Sequence, residues 1–372
     1  MDDKLQNENF QMDFYAKQNK KKQINKLKKT LFAILGVFIL VIVLLLLVGK
    51  LPFTLARSNK ETTYNNVISM AVKNHNPLIT DIAMLGANDA FSSEITTKTE
   101  IIIPDTVLSR PFIKTFADGA MSRYLRRQHS SVNDLLYGGI RYFDVKVAYY
   151  KEAYYTENIY LIKKIDSYLV DIMKFLSENP KEFVILDFSR ISFFDKTFSD
   201  FYQYLLEIKY LETTIFDYIH YDSSKPLSEL RYNDVIGNNG GIILLLDLQD
   251  QNKLYYNRNE VLITIEYDHS SNVKLVNAIN EKANQTLDEA KLRINKACLT
   301  PKSDFNTIIN WSILRMADWF NATILAEDLS SWFNTMPILV VDFADSGRGS
   351  FNRNINEFII EYNEKRMENK YE

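Results

Sequence analysis

The stretch PKEFVILDF, residues 180–188, decides the fold of this chain. From Phe183 onward it is apolar apart from Asp187, and it lacks the polar alternation of a strand with one solvated face. A short continuous apolar run of this kind is typical of a parallel strand that is covered on both faces. Two similar runs, GGIILLLD at residues 240–247 and PILVVDF at residues 337–343, follow it along the chain. The sequence therefore predicts a parallel sheet between layers of helices.

Strand-like and helix-like stretches alternate outward from these three runs. The predicted strands are Ile82–Leu85, Ile140–Ala148, Phe183–Phe188, Ile242–Asp247, Val261–Tyr267 and Ile338–Phe343. The predicted helices are Ile162–Glu178, Phe198–Lys209, Val273–Cys298 and Asn352–Met367. Alternation over about 300 residues fits an α/β barrel or a doubly wound sheet. No GxGxxG or GxxxxGK[ST] loop follows a strand, which disfavours a dinucleotide-binding or nucleoside-triphosphate-binding fold.

An apolar stretch near the amino terminus predicts a membrane anchor. Residues 31–48 read LFAILGVFILVIVLLLLV and contain no charged or amide side chain. A helix of about 20 such residues spans a hydrocarbon layer of about 30 Å. Seven lysines lie between positions 17 and 29, whereas only three basic residues follow closely, so the charge rule places the amino terminus in the cytoplasm. The prediction is a single-pass membrane protein whose folded domain lies outside the cytoplasm.

The predicted organisation has four parts. Residues 1–30 form a basic cytoplasmic tail, residues 31–49 a transmembrane helix, residues 50–64 a linker, and residues 65–372 one folded domain. A second interpretation stays open, in which cleavage after Ala56 releases the domain, because the preceding residues form a small-x-small pattern beyond the apolar stretch.

Composition and charge exclude several classes of function. Residues 1–30 hold eight lysines and four acidic residues, so the net charge of −3 leaves −7 on residues 31–372. A domain that is acidic overall offers no strongly basic surface, and no nucleic-acid partner is predicted. Cys298 is the single cysteine, so neither an intrachain disulfide nor a cysteine-rich metal site can form. The domain must therefore be stabilised by its core.

Polar residues follow several predicted strands, at the positions where a barrel places its catalytic groups. A Gly-containing loop with an amide and an acid follows the first strand, an acid and a lysine lie two apart on the second, and an acid ends the last. The candidate site residues are Asn88, Asp89, Asp144, Lys146, Glu157 and Asp342. We expect them to converge on one anionic ligand, because a lysine and amides suit a phosphate while carboxylates suit hydroxyls.

Five motifs in this order resemble the X domain of phosphatidylinositol-specific phospholipase C, of the simple metal-independent kind. The family's GTHDS or GSHDAF is similar to residues 86–91, and its S-V/I-x-x-Q-L-x-x-G-I-R-Y-x-D-x-R is similar to residues 131–146. Its F-L-x-x-N-P-x-E-x-V-I-L-D-F is similar to residues 175–188, its Q-L-T-P to residues 298–301, and its I-V-x-x-D-F-V to residues 339–344. The resemblance implies a distorted TIM barrel, here preceded by the one transmembrane helix.

The resemblance also implies a mechanism that this sequence cannot follow. Family enzymes use one histidine as general base on the inositol 2-hydroxyl and a second as general acid on the leaving diacylglycerol. An arginine and carboxylates hold the phosphate and polarise the histidines. Here the first histidine position is Asn88, the second is Glu157, and Lys146 stands in place of the arginine. The four histidines of the chain, His75, His129, His220 and His269, occupy none of the motif positions.

The chain is therefore predicted to be a divergent member that lacks both catalytic histidines. An amide has no titratable proton near neutral pH, and each proton transfer is worth about 10²–10⁴-fold in rate. The leading hypothesis is a protein that is inactive or slowed, and that binds a membrane lipid headgroup or an inositol-phosphate-like ligand. Two rivals stay open: a phosphodiesterase with rearranged proton carriers, namely Glu157, Asp89 or Asp342, and an envelope scaffold. No cofactor is predicted, and a lysine at position 146 disfavours a calcium site.

Overall fold

A computed structural model of the protein describes residues 20–41, 43, 63–95, 100–101, 124–192, 196–220, 222, 224–247, 254–302, 304, 307, 310, 312–345 and 350–371. Its strands are β1 (Met84–Ala87), β2 (Glu100–Ile101), β3 (Ile140–Tyr150), β4 (Ala153–Asn158), β5 (Tyr160–Lys164), β6 (Phe183–Ser192), β7 (Lys209–Tyr210), β8 (Thr213–Thr214), β9 (Gly241–Leu246), β10 (Tyr256–Asn257), β11 (Leu262–Glu266), β12 (Leu292–Lys296) and β13 (Ile338–Val341). Its α-helices are α1 (residues 20–41), α2 (Val67–Val72), α3 (Val132–Tyr137), α4 (Ile165–Glu178), α5 (Phe198–Glu207), α6 (Tyr232–Val235), α7 (Arg258–Val261), α8 (Asn272–Ala283), α9 (Ile313–Ile324), α10 (Leu329–Thr335) and α11 (Phe351–Tyr371). Short 3₁₀ segments lie at Ile79–Asp81, Ile215–Tyr218 and Leu227–Glu229.

The main sheet is a row of parallel strands in the order β10-β9-β6-β3-β1-β13-β12-β11. The first strand, β1, pairs with β3 on one side and with the last strand, β13, on the other, so the order follows the chain around a barrel. Among the described residues no pairing joins β10 to β11, and the barrel is open along that seam. Three antiparallel strands branch from β3: β4 pairs with β3, β5 pairs with β4, and β2 pairs with β5. The structure thus has an α/β fold with a partial parallel barrel.

β1 packs unusually closely against both of its neighbours. A Cβ at Gly86 would lie 2.8 Å from Val340 Cγ2 on β13 and 2.9 Å from Tyr142 Cδ1 on β3. A glycine is needed where neighbouring side chains approach the strand this closely. Gly86 therefore fixes the position of the two residues that follow β1, Asn88 and Asp89.

The prediction of a transmembrane helix at residues 31–49 is wrong. None of the helices in the described ranges has both the length and the apolar character needed to cross a bilayer. The first ten residues of α1, 20–29, include six lysines.

This finding also overturns the single-pass localisation, with its cytoplasmic amino terminus and its domain outside the cytoplasm. Parts of the predicted organisation lie outside the described residues: residues 1–19 of the tail, residues 42 and 44–49 of the predicted helix, and residues 50–62 of the linker.

The predicted parallel strands are found, but the predicted helix Val273–Cys298 is wrong. The structure divides it into α8, the turn-forming residues that follow, and β12. In β12 the sequence LRINK has buried residues at four successive positions, which is a strand pattern in a covered sheet. Its polar Arg293, Asn295 and Lys296 resemble the polar face of a continuing helix, and this similarity misled the prediction.

A buried ion pair holds the amino-terminal end of the barrel. Arg141 on β3 and Glu182 just before β6 are fully buried, with Nε and Oε2 separated by 2.8 Å. Glu182 also accepts hydrogen bonds from the backbone N–H groups of Ile68 and Ser69 in α2, at 3.2 and 2.8 Å. Two charged residues of the family motifs, in GIRYFD and NPKEF, therefore support the fold at the end opposite to the predicted site.

Candidate active site

The six predicted site residues lie at one end of the barrel, here called the mouth: the carboxyl-terminal ends of β1, β3, β4, β6, β12 and β13. The backbone N–H of Asn88 donates to Val341 O at 3.1 Å, which joins the ends of β1 and β13. The backbone N–H of Ala90 donates to Asp144 O at 2.8 Å, which joins the loop after β1 to β3. The sheet register therefore brings together residues that are up to 254 positions apart along the chain.

Asp342 links an amide to a guanidinium at the end of β13. Asn88 Nδ2 donates to Asp342 Oδ1 at 2.8 Å, and Arg127 Nη1 donates to Asp342 Oδ2 at 2.8 Å. Burial raises the pKa of the Asp342 carboxyl, although Arg127 and Asn88 oppose the shift. The Asn88 Oδ1 atom is buried and has no hydrogen-bond partner in the described residues.

Gln128 fixes the backbone around this pair. Its Nε2 donates to Asn88 O at 3.0 Å and to Val341 O at 3.1 Å, while its Oε1 accepts from the backbone N–H of Ala344 at 3.0 Å. The side chain is fully buried, so these bonds are not in competition with water. Gln128 therefore sets the positions of the two strand ends that carry Asn88 and Asp342.

Asp89 forms the second carboxylate contact of the mouth. Its Oδ1 pairs with Lys146 Nζ, and its Oδ2 accepts from Asn158 Nδ2 at 2.8 Å. Asp89 has a φ of 43°, Ile159 has a φ of 64° and Phe343 has a φ of 52°. Positive φ costs energy for side chains other than glycine, most of all for the β-branched Ile159. Each of these residues follows a polar residue of the mouth, so the chain turns sharply where the site is built.

Asp144 on β3 is held by a lysine that the sequence did not single out. Lys296 Nζ, at the end of β12, lies 2.9 Å from Asp144 Oδ2 and 3.0 Å from Glu266 Oε1. Ser189 on β6 donates to Asp144 Oδ1. Burial disfavours ionisation of Asp144, but Lys296 and then Lys146 outweigh it and lower the pKa of this carboxyl.

Glu157, at the position where the resemblance implies a second histidine, forms a two-pronged ion pair. Arg190 Nε donates to Glu157 Oε1 at 2.6 Å, and Arg190 Nη2 donates to Glu157 Oε2 at 2.8 Å. The backbone N–H of Ile159 donates to Glu157 Oε2 at 3.2 Å. Paired donation from one guanidinium is the strongest geometry for a carboxylate. Both oxygens of Glu157 are therefore already occupied.

A second layer of charge lies on β6 beneath the mouth. Asp187 Oδ1 accepts from Arg258 Nε at 2.6 Å, and its Oδ2 accepts from the hydroxyl of Tyr142. Burial and the neighbouring Asp144 raise the pKa of Asp187 to about 6, while Arg258 acts in the opposite direction. Asp187 is therefore a titratable group in the middle of the physiological pH range.

We call the paired charges of the mouth the mouth cluster. It consists of four acid–base pairs: Asp342–Arg127, Asp89–Lys146, Asp144–Lys296 and Glu157–Arg190. The sequence predicted all four acids and one of the bases, and it missed the other three. Arg190 was identifiable in principle, because it lies on β6 two residues after the VILDF motif. Arg127 and Lys296 belong to segments without a recognisable motif.

No histidine enters the mouth cluster. His129, which the sequence places near the site segments, stacks on Phe343 with ring centroids 5.8 Å apart, and its Nδ1 is buried. Within the described ranges no three His, Cys, Asp or Glu side chains are arranged to hold a metal ion. The expectation that the protein uses neither calcium nor a cofactor stays a prediction.

Comparisons with known proteins agree with the motifs. The chain is 27% identical over 129 residues to human PI-PLC X domain-containing protein 2, covering 33% of this chain and 42% of that protein. It is 30% identical over 125 residues to mouse PI-PLC X domain-containing protein 3, covering 31% and 38%. The chain thus spans about two fifths of the length of the curated relatives that it matches. No family model matches the chain.

Solved structures show the same fold over a much larger part of the chain. A mutant of phosphatidylinositol-specific phospholipase C from Staphylococcus aureus superposes with a TM-score of 0.56 and 15% identity, covering 81% of this chain and 98% of that one. The phosphatidylinositol-specific phospholipase C from Listeria monocytogenes gives a TM-score of 0.51 and 19% identity, covering 81% and 99%. At these identities the likeness concerns the fold, and the chemistry has to be argued from the mouth itself.

Proposed function

We propose a function from the premise that this chain is a phosphatidylinositol-specific phospholipase C X-domain-like protein, as its motifs, relatives and fold agree. In this proposal the mouth binds a phosphate-bearing polyol headgroup, such as an inositol phosphate, and does not cleave it by the two-histidine mechanism. The observation that carries the proposal is the Asn88–Asp342 pair, in which an amide takes the place of the family's general base.

The proton-transfer groups of the family reaction have been replaced by groups that hold hydrogen bonds. Asn88 donates to Asp342 and has no basic nitrogen with which to accept a proton from a hydroxyl. Glu157 receives three hydrogen bonds, two of them from Arg190, and would have to give these up to carry a proton. Because each lost proton transfer costs about 10²–10⁴-fold in rate, cleavage by this route is expected to be negligible.

The same cluster keeps the means to bind a polyol phosphate. Lys146 and Arg190 are register neighbours on β3 and β6, which gives two adjacent cations for a phosphate. The unpartnered Asn88 Oδ1 is available to accept a hydrogen bond from a ligand hydroxyl. The phosphate contact is weaker than in the family enzymes if it depends on Lys146, because an ammonium lacks the planar fork of arginine.

A phosphodiesterase with rearranged proton carriers is the second candidate. It is favoured by the raised pKa of the Asp342 carboxyl, since a buried acid of this kind holds its proton closer to neutral pH. In that case headgroup release from phosphatidylinositol should occur in the wild type and should be abolished by Asp342→Asn.

The test combines turnover with binding, on the full chain. We expect no headgroup release from phosphatidylinositol vesicles, but measurable binding of myo-inositol 1-phosphate in calorimetry. Lys146→Met should weaken that binding by at least about tenfold, and Lys146→Arg should preserve or tighten it. Lys163→Met is the matched control, because Lys163 is an exposed lysine paired with the exposed Glu94. Unchanged binding in Lys146→Met, or turnover in the wild type, would overturn the proposal.

A further inference from the structure

We propose that the Glu157 carboxylate occupies an oxyanion seat and competes there with a phosphate ligand. The seat consists of the Arg190 guanidinium and the backbone N–H of Ile159. This inference rests on the proposed function, because it names the part of the mouth that receives the phosphate and the residue that limits its affinity.

The seat is defined by three donors that point at one anion. Arg190 Nε and Nη2 lie 2.6 and 2.8 Å from the two oxygens of Glu157, and Ile159 N lies 3.2 Å from Oε2. A guanidinium edge binds carboxylate and phosphate oxygens in the same two-pronged manner. A phosphate monoester or diester therefore fits the donors that Glu157 now uses.

Arg190 is the cation of the mouth cluster that a ligand can best reach. Its side chain is 47% exposed, whereas those of Arg127, Lys146 and Lys296 are 17%, 18% and 18% exposed. Its partner Glu157 is buried, with a side chain that is 4% exposed. A ligand from solvent therefore meets Arg190 first and finds its donors taken by Glu157.

A neighbouring cation strengthens the case for an anion seat. Lys146 is the register partner of Arg190 across β3 and β6. The carboxylates Asp89 and Asp144 also influence Arg190 electrostatically, which places the guanidinium within the mouth cluster rather than beside it. When Glu157 no longer occupies the seat, the local balance of charge shifts toward the cations and favours phosphate.

The experiment measures the binding of inorganic phosphate to the full chain by calorimetry. Glu157→Gln should tighten phosphate binding by about tenfold, because it removes the competing charge and weakens the grip on the Arg190 donors. The double variant Glu157→Gln with Arg190→Gln should lose that gain.

The matched control is Glu266→Gln. Glu266 is an exposed acid near the mouth whose partner Lys296 remains paired with Asp144, so its removal changes the net charge equally and leaves the Arg190 donors occupied by Glu157. Phosphate binding should then change by less than about twofold. If Glu266→Gln and Glu157→Gln tighten phosphate binding equally, the change is due to net charge alone, and the proposal of an oxyanion seat is overturned.

A second variant keeps the inference testable if Glu157→Gln does not fold, as judged by its thermal unfolding. Glu157→Asp keeps the charge but shortens the side chain, so it should hold Arg190 less well and tighten phosphate binding by about threefold. Unchanged phosphate binding in whichever of these variants folds overturns the inference.

The proposed function and the proposed oxyanion seat would be overturned by different results. If the wild type binds inositol 1-phosphate through Lys146 but Glu157→Gln gives no gain, the seat is overturned and the proposed function stands. If the wild type does not bind inositol 1-phosphate but Glu157→Gln gains phosphate binding that depends on Arg190, the seat stands and the proposed function is overturned.

Discussion

Single side chains decide whether this barrel can do acid–base chemistry. Asn88 donates a hydrogen bond to Asp342, and Glu157 accepts hydrogen bonds from Arg190. The family resemblance implies a histidine at each of these two positions, and an amide has no basic nitrogen to replace an imidazole. Under the proposed function, these side chains hold hydrogen bonds in the mouth and do not carry out the family's proton transfers.

Restoring both histidines tests this view. We expect Asn88→His combined with Glu157→His to release headgroup from phosphatidylinositol vesicles, because Asp342 can orient a histidine at position 88. Each single variant should remain slower by about 10²–10⁴-fold, since one of the two proton transfers is missing. A silent double variant that still binds inositol 1-phosphate would show that the rest of the mouth no longer supports the reaction.

Asp187 predicts a dependence of stability on pH. Its pKa of about 6 in the folded state lies above the value of about 4 for an unfolded chain, so the folded state binds the proton more tightly. The stabilisation is fully present below pH 4 and is lost as the pH rises through 6. Between pH 4 and 7 the difference in unfolding free energy, wild type minus Asp187→Asn, should fall by about 2 kcal/mol. Urea unfolding at several pH values measures this difference in unfolding free energy. A difference that does not change with pH would contradict the raised pKa of Asp187.

The residues of the mouth were only partly predictable. The acids follow apolar strands, and that position is visible in a sequence because strand ends collect at one edge of a barrel. Arg127 and Lys296 pair with Asp342 and Asp144 across 215 and 152 positions of sequence. No local pattern encodes such a pairing, because it is created by the sheet register. The predicted catalytic roles of the six residues stay predictions.

At the level of elements, the opposite end of the barrel depends on one buried charge pair. Arg141 on β3 and Glu182 before β6 are both fully buried, and Glu182 also caps two N–H groups of α2. Glu182→Ala should lower the free energy of unfolding by about 3–5 kcal/mol, because it leaves Arg141 buried without its partner. Urea unfolding measures the loss.

The exposed pair Lys365–Glu361 on α11 is the matched control for this prediction. Both side chains are more than half exposed and lie four positions apart on the helix. Glu361→Ala should change the unfolding free energy by less than about 0.5 kcal/mol. Similar losses in the two variants would mean that burial of the Arg141–Glu182 pair is not what stabilises this end.

Some elements could be predicted from sequence better than others. The runs that became β6, β9 and β13 are apolar on both faces, and their short length and β-branched residues favour a strand over a helix. β12 was missed because two of its polar residues have partners inside the protein: Arg293 donates to Thr80 O, and Lys296 binds Asp144. Sequence periodicity cannot separate a buried polar residue with a partner from a solvated one.

For the whole molecule, the open seam between β10 and β11 is the feature that departs most from a closed barrel. α7 lies between these strands, and its Arg258 reaches across to Asp187 on β6. Arg258→Ala should therefore speed hydrogen exchange of the seam amides, residues 256–266, because the segment loses this contact. Mass spectrometry of deuterated peptides measures the change.

Arg315→Ala is the control for the seam, because Arg315 is exposed on α9. It should leave exchange in residues 256–266 unchanged. Equal protection of the seam in Arg258→Ala and in the wild type would show that the open edge is held by its neighbouring strands alone.

The amino-terminal helix shows where whole-molecule prediction failed. Its apolar residues raised the hydropathy of the stretch, but within the described residues six lysines belong to the same helix. Those side chains are exposed, and the buried core of the described residues begins at Tyr64. Sequence composition identified the stretch correctly as apolar, but none of the helices in the described ranges is long and apolar enough to cross a membrane.

The alternating charges of the mouth cluster also determine the distance at which its electrostatic field acts on a charged ligand. Four carboxylates lie against four cations, so their fields cancel beyond a Debye length of about 8 Å at physiological ionic strength. These eight charges by themselves then neither draw an anion from solution toward the mouth nor drive it away, so they do not steer its encounter with the protein. Selection happens after contact, through the exchange of one hydrogen-bonded partner for another, and added salt should alter the residence of a ligand far more than its arrival.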